Sequence, residues 1–405
     1  MGSKAIEKKN LLPFVLVTSL FALWGLANNM TDTLLAAFRK IMQMSDTETS
    51  FIQMAFYGAY FCLALPAAQY IKKHSFKRGV ILGLSLYALG AIFFLPAAGA
   101  ANYLFYLMAI YVMASGCCVL ETAANPYIMS MGSPETATRR LNIAQSFNPI
   151  GSIMGILVSK FFILQNISFY SISQTYAVLG CVMFGIMFIM LFAHMPGGRD
   201  RRKQDSLRAT FSRLYANKEY VWGVVAQFFY VGAQIGVWSF TIRLVMKELD
   251  MVEAQAATFY LISIIGFCVS RFVYSWLMKY VSPKRLLAVG SILSALSALV
   301  VVFSSGQFCV VALILVSVFM SLMFPTIYGI ALGSVANSGS VDDTKIGASG
   351  LIMAILGGAI ITPLQGLVSD AADVNWSYLV PFVCFVVVMY YALRNKDIAE
   401  ETDSC

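Results

Sequence analysis

Charged residues are scarce in this chain. Asp, Glu, Lys and Arg make up 12% of its 405 residues, whereas 59% of the residues are hydrophobic. A soluble protein carries about twice that charged fraction. Because so few charges cannot cover a water-facing surface, we expect lipid to be the solvent for most of the chain.

Histidine is nearly absent, and the cysteines follow no pattern typical of a site. The chain has two histidines, His74 and His194, and eight cysteines, seven of which lie inside apolar runs. The adjacent Cys117 and Cys118 have no histidine nearby that could complete a set of metal ligands. The pattern predicts neither a disulfide framework nor a metal site, and we interpret the cysteines as small buried hydrophobic residues.

Common enzyme motifs are also missing. There is no GxxxxGK[ST] phosphate loop, which argues against an ATP-driven pump, and no GxSxG or HExxH motif. We therefore expect no enzymatic activity and no cofactor. The net charge of +8 comes from short basic clusters between apolar runs. Such clusters do not form the basic stripe that nucleic-acid binding requires.

Long apolar runs dominate the chain instead. A membrane-spanning helix needs about 20 apolar residues. The first run is too long for the hydrophobic core of a signal peptide and has no clear cleavage site, so we expect it to be retained. The sequence predicts an all-α polytopic membrane protein with twelve spans, at 12–38, 51–71, 79–98, 103–129, 141–164, 172–194, 220–245, 255–279, 285–304, 307–334, 346–369 and 376–393.

The positions of the basic residues predict the orientation. If the amino terminus is cytoplasmic, 22 of the 28 Lys and Arg residues fall on the cytoplasmic side of the spans. An excess of Lys and Arg is typical of cytoplasmic segments. We therefore expect a multi-pass protein of the bacterial inner membrane with both termini in the cytoplasm.

The two parts of the chain resemble each other. Lys77-Arg78 after the second span recurs as Lys284-Arg285 after the eighth, Pro126 has a counterpart in Pro325, and the fifth and eleventh spans are both rich in glycine. A parallel duplication of six-helix units is typical of the major facilitator architecture. The predicted organisation is a six-helix bundle at 1–195, a cytoplasmic linker at 196–219 and a second six-helix bundle with a short tail at 220–405.

Asp32 lies inside the first predicted span, where a carboxylate costs a few kcal/mol. Asn28 and Asn29 precede it by about one turn, so the three side chains share one helical face. A polar cluster that packs helices together is the alternative interpretation. Because a carboxylate is a costly choice for packing alone, we predict a proton-coupling role for Asp32.

Glu121 lies inside the fourth predicted span. Asn125 follows it by one turn, and Pro126 removes an amide and bends the helix. The alternative is a kink that serves packing, with Glu121 paired to a basic residue such as Arg139. Nothing nearby in the sequence neutralises Glu121, so we predict that it also couples protons.

Amide and aromatic side chains add further polar faces to the spans. Amides both donate and accept hydrogen bonds, which suits sugar hydroxyl groups, and aromatic rings can stack on a pyranose. Each face alone is more typical of helix packing, but several in one half favour a polar cavity. We expect Arg271 to brace helices rather than bind substrate. The predicted substrate-binding residues are Asn28, Asn29, Gln53, Tyr57, Asn125, Asn142, Gln145, Asn148, Gln234 and Trp238.

Several segments resemble the fucose permease (L-fucose–proton symporter) branch of the major facilitator superfamily. The most specific is Leu120 to Pro126, and others include 142–148, 226–234 and 366–372. The resemblance implies alternating access by two rocking bundles with one sugar site between them. It also implies that Asp32 and Glu121 couple protons and sense the sugar, and that Asn29, Gln145 and Asn148 contact it.

We therefore expect a monomeric carrier in the lipid bilayer that imports a monosaccharide with a proton as coupling ion. L-fucose is the sugar that the resemblance implies. A sodium-coupled carrier, a carrier of glucose, galactose or N-acetylglucosamine, and a transporter-like sugar sensor are the alternatives.

Overall fold

The computed structural model describes residues 11–43, 46–100, 102–163, 168–193, 195, 206–338 and 341–394. Within these ranges all regular structure is helical, as predicted. The α-helices are α1 (Leu11–Met42), α2 (Asp46–Lys73), α3 (Phe76–Ile92), α4 (Phe94–Ala100), α5 (Tyr103–Ser130), α6 (Ala137–Gln145), α7 (Asn148–Val158), α8 (Phe169–Phe192), α9 (Leu207–Ala216), α10 (Lys218–Leu249), α11 (Glu253–Leu277), α12 (Pro283–Phe303), α13 (Gly306–Met320), α14 (Met323–Ser338), α15 (Val341–Met353), α16 (Gly357–Ala371) and α17 (Leu379–Arg394).

In the described part of the chain these helices build the twelve predicted spans. The pairs α3 with α4, α6 with α7, α13 with α14 and α15 with α16 each form one span, and α9 is not part of any. Eleven ranges are long and apolar enough to cross a membrane, and α1 contributes the shorter apolar stretch Leu11–Ala27. The prediction of an all-α membrane protein with twelve spans is confirmed.

Two spans are broken in the middle for identifiable reasons. Pro149 lies in the first turn of α7, and its missing amide cannot continue the hydrogen bonding of α6. In the eleventh span, a single 3₁₀ turn (Ala354–Leu356) separates α15 from α16, which begins with Gly357-Gly358. Broken backbone at membrane depth is tolerated where protein or a cavity covers it.

Glycine allows the same close helix contact in both parts of the chain. A Cβ on Gly151 would lie 1.7 Å from the carbonyl oxygen of Ala22, so α7 packs directly on the backbone of α1. A Cβ on Gly357 would lie 1.9 Å from the carbonyl oxygen of Phe228, so α16 packs in the same way on α10. Small residues permit such backbone contact between membrane helices. The glycines that the fifth and eleventh spans share in sequence thus make the same kind of helix contact in the structure.

The helices form two bundles of six spans, as predicted. The first half comprises α1–α8 and the second comprises α10–α17. Helix α5 packs against α2 and α3 in the first half, and α17 packs against α10 and α12 in the second. The halves meet where α2 contacts α15, α6 contacts α14 and α7 contacts α11.

Basic side chains gather at one end of the molecule, which we call the basic end; it includes Lys72, Lys77, Arg213, Lys284 and Lys345. Here Lys72 Nζ lies 3.0 Å from Asp342 Oδ2, which joins the first half to the second. Lys284 Nζ lies 3.3 Å from Glu219 Oε1 within the second half.

Part of the predicted linker is an ordered helix. Ser206 caps α9 by accepting a hydrogen bond from the amide of Ala209, and Thr210 and Leu214 are buried. Arg213 donates from Nε and Nη2 to the two oxygens of Asp343, each at 2.7 Å. Helix α9 therefore packs on the second half through α10 and α15, whereas residues 196–205 lie outside the described ranges.

Candidate functional site

A cavity of about 400 Å³ lies between the two halves. Among the described residues, the first half lines it with polar and aromatic side chains, namely Trp24, Asn29, Phe56, Tyr57, Tyr60, Gln145, Asn148 and Ser152. The second half contributes Val231, Gln234, Ile235, Trp238, Ser239, Ile242, Tyr260, Arg271, Phe324 and Ile355. A concave, partly apolar site with a few converging polar groups is typical of small-molecule binding.

Amide side chains of the first half are oriented by bonds to protein oxygens. Asn29 Nδ2 donates to the carbonyl oxygen of Gly25 at 3.2 Å, and Asn148 Nδ2 donates to that of Phe21 at 3.3 Å. Since an amide group offers two N–H donors and two acceptor lone pairs, each retains capacity for a ligand. The break between α6 and α7 places Gln145 and Asn148 on either side of it, so both reach the cavity.

Aromatic rings enclose the same space. Trp24 Nε1 donates to the Tyr60 hydroxyl at 2.6 Å, which fixes the indole against α2. Trp238 packs edge-on against Phe267, with ring centroids 5.1 Å apart. The buried Nε1 of Trp238 has no hydrogen-bond partner in the described part of the chain. An indole N–H at a cavity wall can donate to a ligand hydroxyl group.

Glu121 lies behind this lining and is only 2% exposed. Neither of its oxygens has a hydrogen-bond partner among the described residues, and neither does Nδ2 of Asn125. The predicted alternative, in which Glu121 pairs with a basic residue such as Arg139, is wrong, because neither carboxyl oxygen has a partner among the described residues. A buried carboxyl group without compensation is costly, which makes structural stabilisation a poor explanation for it.

Asn125 and Gln145 connect Glu121 to the cavity. Gln145 Nε2 donates to Asn125 Oδ1 at 2.9 Å, and Asn125 follows Glu121 by one turn of α5. Tyr60 and Tyr328 both lie close enough to Glu121 to interact with it electrostatically. The side chains of Asn125 and Gln145 therefore lie between the carboxyl group and a ligand in the cavity.

Arg271 is the one charged side chain of the described cavity lining, and it joins the two halves. Its Nε donates to the carbonyl oxygen of Ser321 at 2.6 Å, and its Nη1 donates to that of Gln145 at 3.1 Å. The guanidinium lies over the ring of Phe267, 4.6 Å from its centroid. This geometry fits the prediction that Arg271 braces helices. It also places the guanidinium at the cavity wall, which was not predicted from the sequence.

The structure brings six of the predicted substrate-binding residues to the cavity: Asn29, Tyr57, Gln145, Asn148, Gln234 and Trp238. Asn125 lies behind Gln145. Asn142 lies outside the cavity, between the halves, where its Nδ2 donates to the carbonyl oxygen of Thr138 and to Thr326 Oγ1 at 3.0 and 3.2 Å. The side chains of Asn28, Asp32 and Gln53 lie outside the described part of the structure.

Sequence reasoning missed several lining residues. Trp24 precedes Asn28 by one turn, so the helical period could have placed it on the predicted polar face. The aliphatic residues Val231, Ile235 and Ile355 carried no such signal, because every span is rich in similar residues. Among the described residues there is no group of three or more His, Cys, Asp or Glu side chains that could hold a metal ion.

Comparisons with known proteins agree with this arrangement. Residues 15–341 match the family model of the Major Facilitator Superfamily. The chain is 41% identical to the L-fucose-proton symporter of Haemophilus influenzae over 97% of this chain and 99% of that protein. It is 35% identical to the L-fucose-proton symporter of Escherichia coli over 97% and 95% of the two chains. A crystal structure of the major facilitator transporter FucP in the outward conformation matches with a TM-score of 0.87 and 34% identity, covering 96% of this chain and 100% of that one.

Proposed function

The chain belongs to the major facilitator superfamily, and on this basis we propose that it is a proton-coupled L-fucose symporter of the bacterial inner membrane. Two relatives with the name L-fucose-proton symporter align over nearly its whole length. The observation that carries the proposal is the cavity between the halves, in which a sugar-sized space adjoins a buried carboxyl group without a hydrogen-bond partner.

The cavity suits a monosaccharide better than an ion or a lipid. Asn29, Gln145, Asn148 and Gln234 supply donors and acceptors for hydroxyl groups, and Trp24 and Trp238 supply flat apolar surfaces. Amides discriminate well among hydroxyl patterns, because a missing hydroxyl leaves a buried polar group unpaired. The proposed ligands of the sugar are therefore the predicted amide and aromatic residues that line the cavity.

Proton coupling is assigned to Asp32 and Glu121. Asn125, one turn from Glu121 on α5, accepts a hydrogen bond from the cavity residue Gln145, so a bound sugar that repositions Gln145 would change the surroundings of the group that carries the proton. Asp32 lies in the cavity-lining α1, one turn beyond the cavity residue Asn29. We propose that Asp32 exchanges the proton with the outside and that Glu121 links the protonated state to sugar binding.

The basic end is closed in this structure. The Lys72–Asp342 ion pair, the Asn142–Thr326 hydrogen bond and the Arg271–Gln145 hydrogen bond all cross from one half to the other on that side. We propose that the basic end faces the cytoplasm, so that the conformation is outward-facing and transport proceeds when these contacts break. On this proposal both termini are cytoplasmic and residues 196–219 form the connection between the domains 1–195 and 220–405.

The experiment is uptake into proteoliposomes under an imposed proton gradient. We expect uphill accumulation of L-fucose, with alkalinisation of the outer medium when the sugar is added. Asp32→Asn should retain sugar exchange while losing uphill uptake, because an amide cannot carry the proton. Full accumulation by that variant would exclude Asp32 from coupling.

The same assay separates the alternatives. Uptake that needs sodium and leaves the medium pH unchanged would indicate a sodium-coupled carrier. Binding without net flux would indicate a sensor. Stronger competition by glucose, galactose or N-acetylglucosamine than by L-fucose would identify a different sugar.

A further inference from the structure

The aliphatic side chains of the described cavity lining all come from the second half. The first half presents amides, a serine and aromatic rings, whereas the second presents Val231, Ile235, Ile242 and Ile355 besides its own polar and aromatic residues. A ligand bound here has hydrogen-bonding partners on both sides, whereas the aliphatic side chains of the described lining face it from the second half.

Three of these aliphatic residues lie on two elements that pack against each other, and we call them the aliphatic patch: Val231, Ile235 and Ile355. Val231 and Ile235 are one turn apart on α10 and share a face. Ile355 lies in the 3₁₀ turn between α15 and α16, and α10 packs on that turn. Ile242 follows Ile235 by seven residues, about 10 Å further along the axis of α10, and is not part of the patch.

Ile235 is held at the patch by a glycine outside the cavity lining. A Cβ on Gly358 would lie 2.2 Å from Ile235 Cδ1, so the end of the isoleucine occupies the space that glycine leaves open. The preceding residue, Gly357, is packed on the backbone of Phe228, so α16 lies directly against α10 at this point. The position of Ile235 is therefore set by the helix contact behind it.

A 6-deoxyhexose has hydroxyl groups around its ring and one methyl group on C5. The amide side chains of the cavity can form hydrogen bonds with the sugar hydroxyl groups. A methyl group placed against these amides would leave the amides without hydrogen-bond partners. Burial of one methyl-sized group against aliphatic carbon improves affinity by about fourfold. The ligand is therefore best accommodated with its methyl group on the second half.

We propose that the aliphatic patch binds the C5 methyl group of the sugar and that Ile235 is a specificity-determining residue for 6-deoxyhexoses. The inference rests on the proposed function, because it takes L-fucose as a substrate. It adds a subsite to that function and assigns it to named residues of the second half.

The test compares L-fucose with D-arabinose, which has the same ring stereochemistry and lacks the C5 methyl group. In proteoliposome uptake by Ile235→Ala, we expect the KM for L-fucose to rise about fourfold or more, while the KM for D-arabinose changes less than about twofold. Ile235→Val removes a single methyl group and retains most of the packing, so it should give a smaller change in the same direction.

Gly358→Ala tests the same subsite from behind. Its new methyl group would displace Ile235 Cδ1 towards the cavity and fill the space for the sugar methyl, so L-fucose should again lose more affinity than D-arabinose. Gly333→Ala is the matched glycine control, because a Cβ there meets nothing within 4 Å. Ile262→Ala, on an exposed surface of α11, is the matched isoleucine control.

Equal effects of the patch substitutions on both sugars would overturn the inference while leaving the symporter function intact. A wild-type protein that carries neither sugar would overturn the proposed function, and the inference with it. Retained D-arabinose uptake by each variant shows that it is folded.

Discussion

Glu121 occupies a position that protein stability alone does not explain. It is almost fully buried, and neither of its oxygens has a hydrogen-bond partner among the described residues. Burial of such a group costs free energy unless it is paired. A carboxyl group in this position is useful where its protonation has to respond to water or to a ligand, and the link through Asn125 and Gln145 provides a route for that response.

At the residue scale we predict that Glu121→Gln impairs proton-coupled sugar uptake without lowering the thermal stability of the protein. The amide has nearly the same shape and removes a buried ionisable group, so the midpoint of thermal unfolding should be unchanged or higher. Uphill L-fucose uptake under a proton gradient should fall by at least about tenfold, since coupling requires a titratable group. Glu135→Gln, on an exposed residue at the basic end, is the control and should leave both quantities unchanged. A variant that unfolds at much lower temperature yet accumulates sugar normally would contradict the prediction.

Helix ends opposite the basic end are tied together by a polar network, which we call the outer clasp: Lys247, Glu248, Asp373 and Asn375. Lys247 Nζ donates to both Asp373 and Asn375, and Asn375 Nδ2 donates to Glu248 Oε1 at 2.8 Å. Glu248 Oε2 accepts from the amide of Gly306 at 2.6 Å, which caps α13. The clasp joins the ends of α10, α13 and α16 within the second half.

For the elements that the outer clasp joins, we predict that their contribution to thermal stability depends on pH. The hydrogen bond from Lys247 lowers the pKa of Asp373 below its ordinary value of 3.8. A lowered carboxyl pKa stabilises the folded state at neutral pH, and this contribution is lost as the pH falls below about 4. Thermal unfolding of wild type and Asp373→Asn should therefore differ by about one to two degrees at pH 7, since Asp373 is partly exposed, and converge at acid pH.

Asn375→Ala is the control for the outer clasp. Its amide does not titrate in this range, so the variant should lose the same stability at pH 7 and at pH 4. A gap between wild type and Asp373→Asn that stays constant down to pH 3.5 would show that the Lys247–Asp373 contact does not contribute.

Among the described residues, several contacts at and near the basic end join the two halves of the molecule. Lys72 and Asp342 form an ion pair in which both side chains are largely buried, at 6% and 14% exposure. Ser146 Oγ and Ser275 Oγ lie 3.3 Å apart, and Phe147 packs edge-on against Phe272. Rocking of one rigid half against the other has to break these contacts together, whereas the contacts inside each half can persist.

For the whole molecule we predict that Asp342→Asn shifts the population towards a conformation open at the basic end. Loss of one member of a partly buried ion pair destabilises the closed state by about 1–3 kcal/mol. Maleimide labelling of a Ser275→Cys thiol, applied from the basic end, should therefore rise at least about fivefold. The double variant Lys72→Asp with Asp342→Lys should restore protection, because it re-forms the pair with its charges exchanged.

Glu219→Gln is the matched control for the ion pair. It removes the partner of Lys284 at the same end, but both residues belong to the second half. Labelling should therefore stay at the wild-type level. If it rises as much as in Asp342→Asn, general loosening of the basic end, rather than separation of the halves, would explain the result.

The membrane architecture could be predicted from the sequence, because lipid as a solvent constrains each span locally. Every backbone polar group at membrane depth must be satisfied within its own helix, so apolar runs of sufficient length become spans wherever they occur. Proline at 149 and the paired glycines at 357 and 358 likewise act on their immediate neighbours, and their effects on helix continuity can be predicted locally. The amide faces of α1 and α6 were predictable for the same reason, since helical spacing depends only on nearby residues.

Only the tertiary structure decided which of these faces meet. Asn142 and Gln145 share a helix and a spacing, yet the first contacts Thr326 across the closed interface and the second lines the cavity. Arg271 reaches the cavity wall and Ile235 joins the aliphatic patch because of helix packing far away in sequence. Such contacts depend on the summed packing of all twelve spans, and no local pattern of residues specifies them.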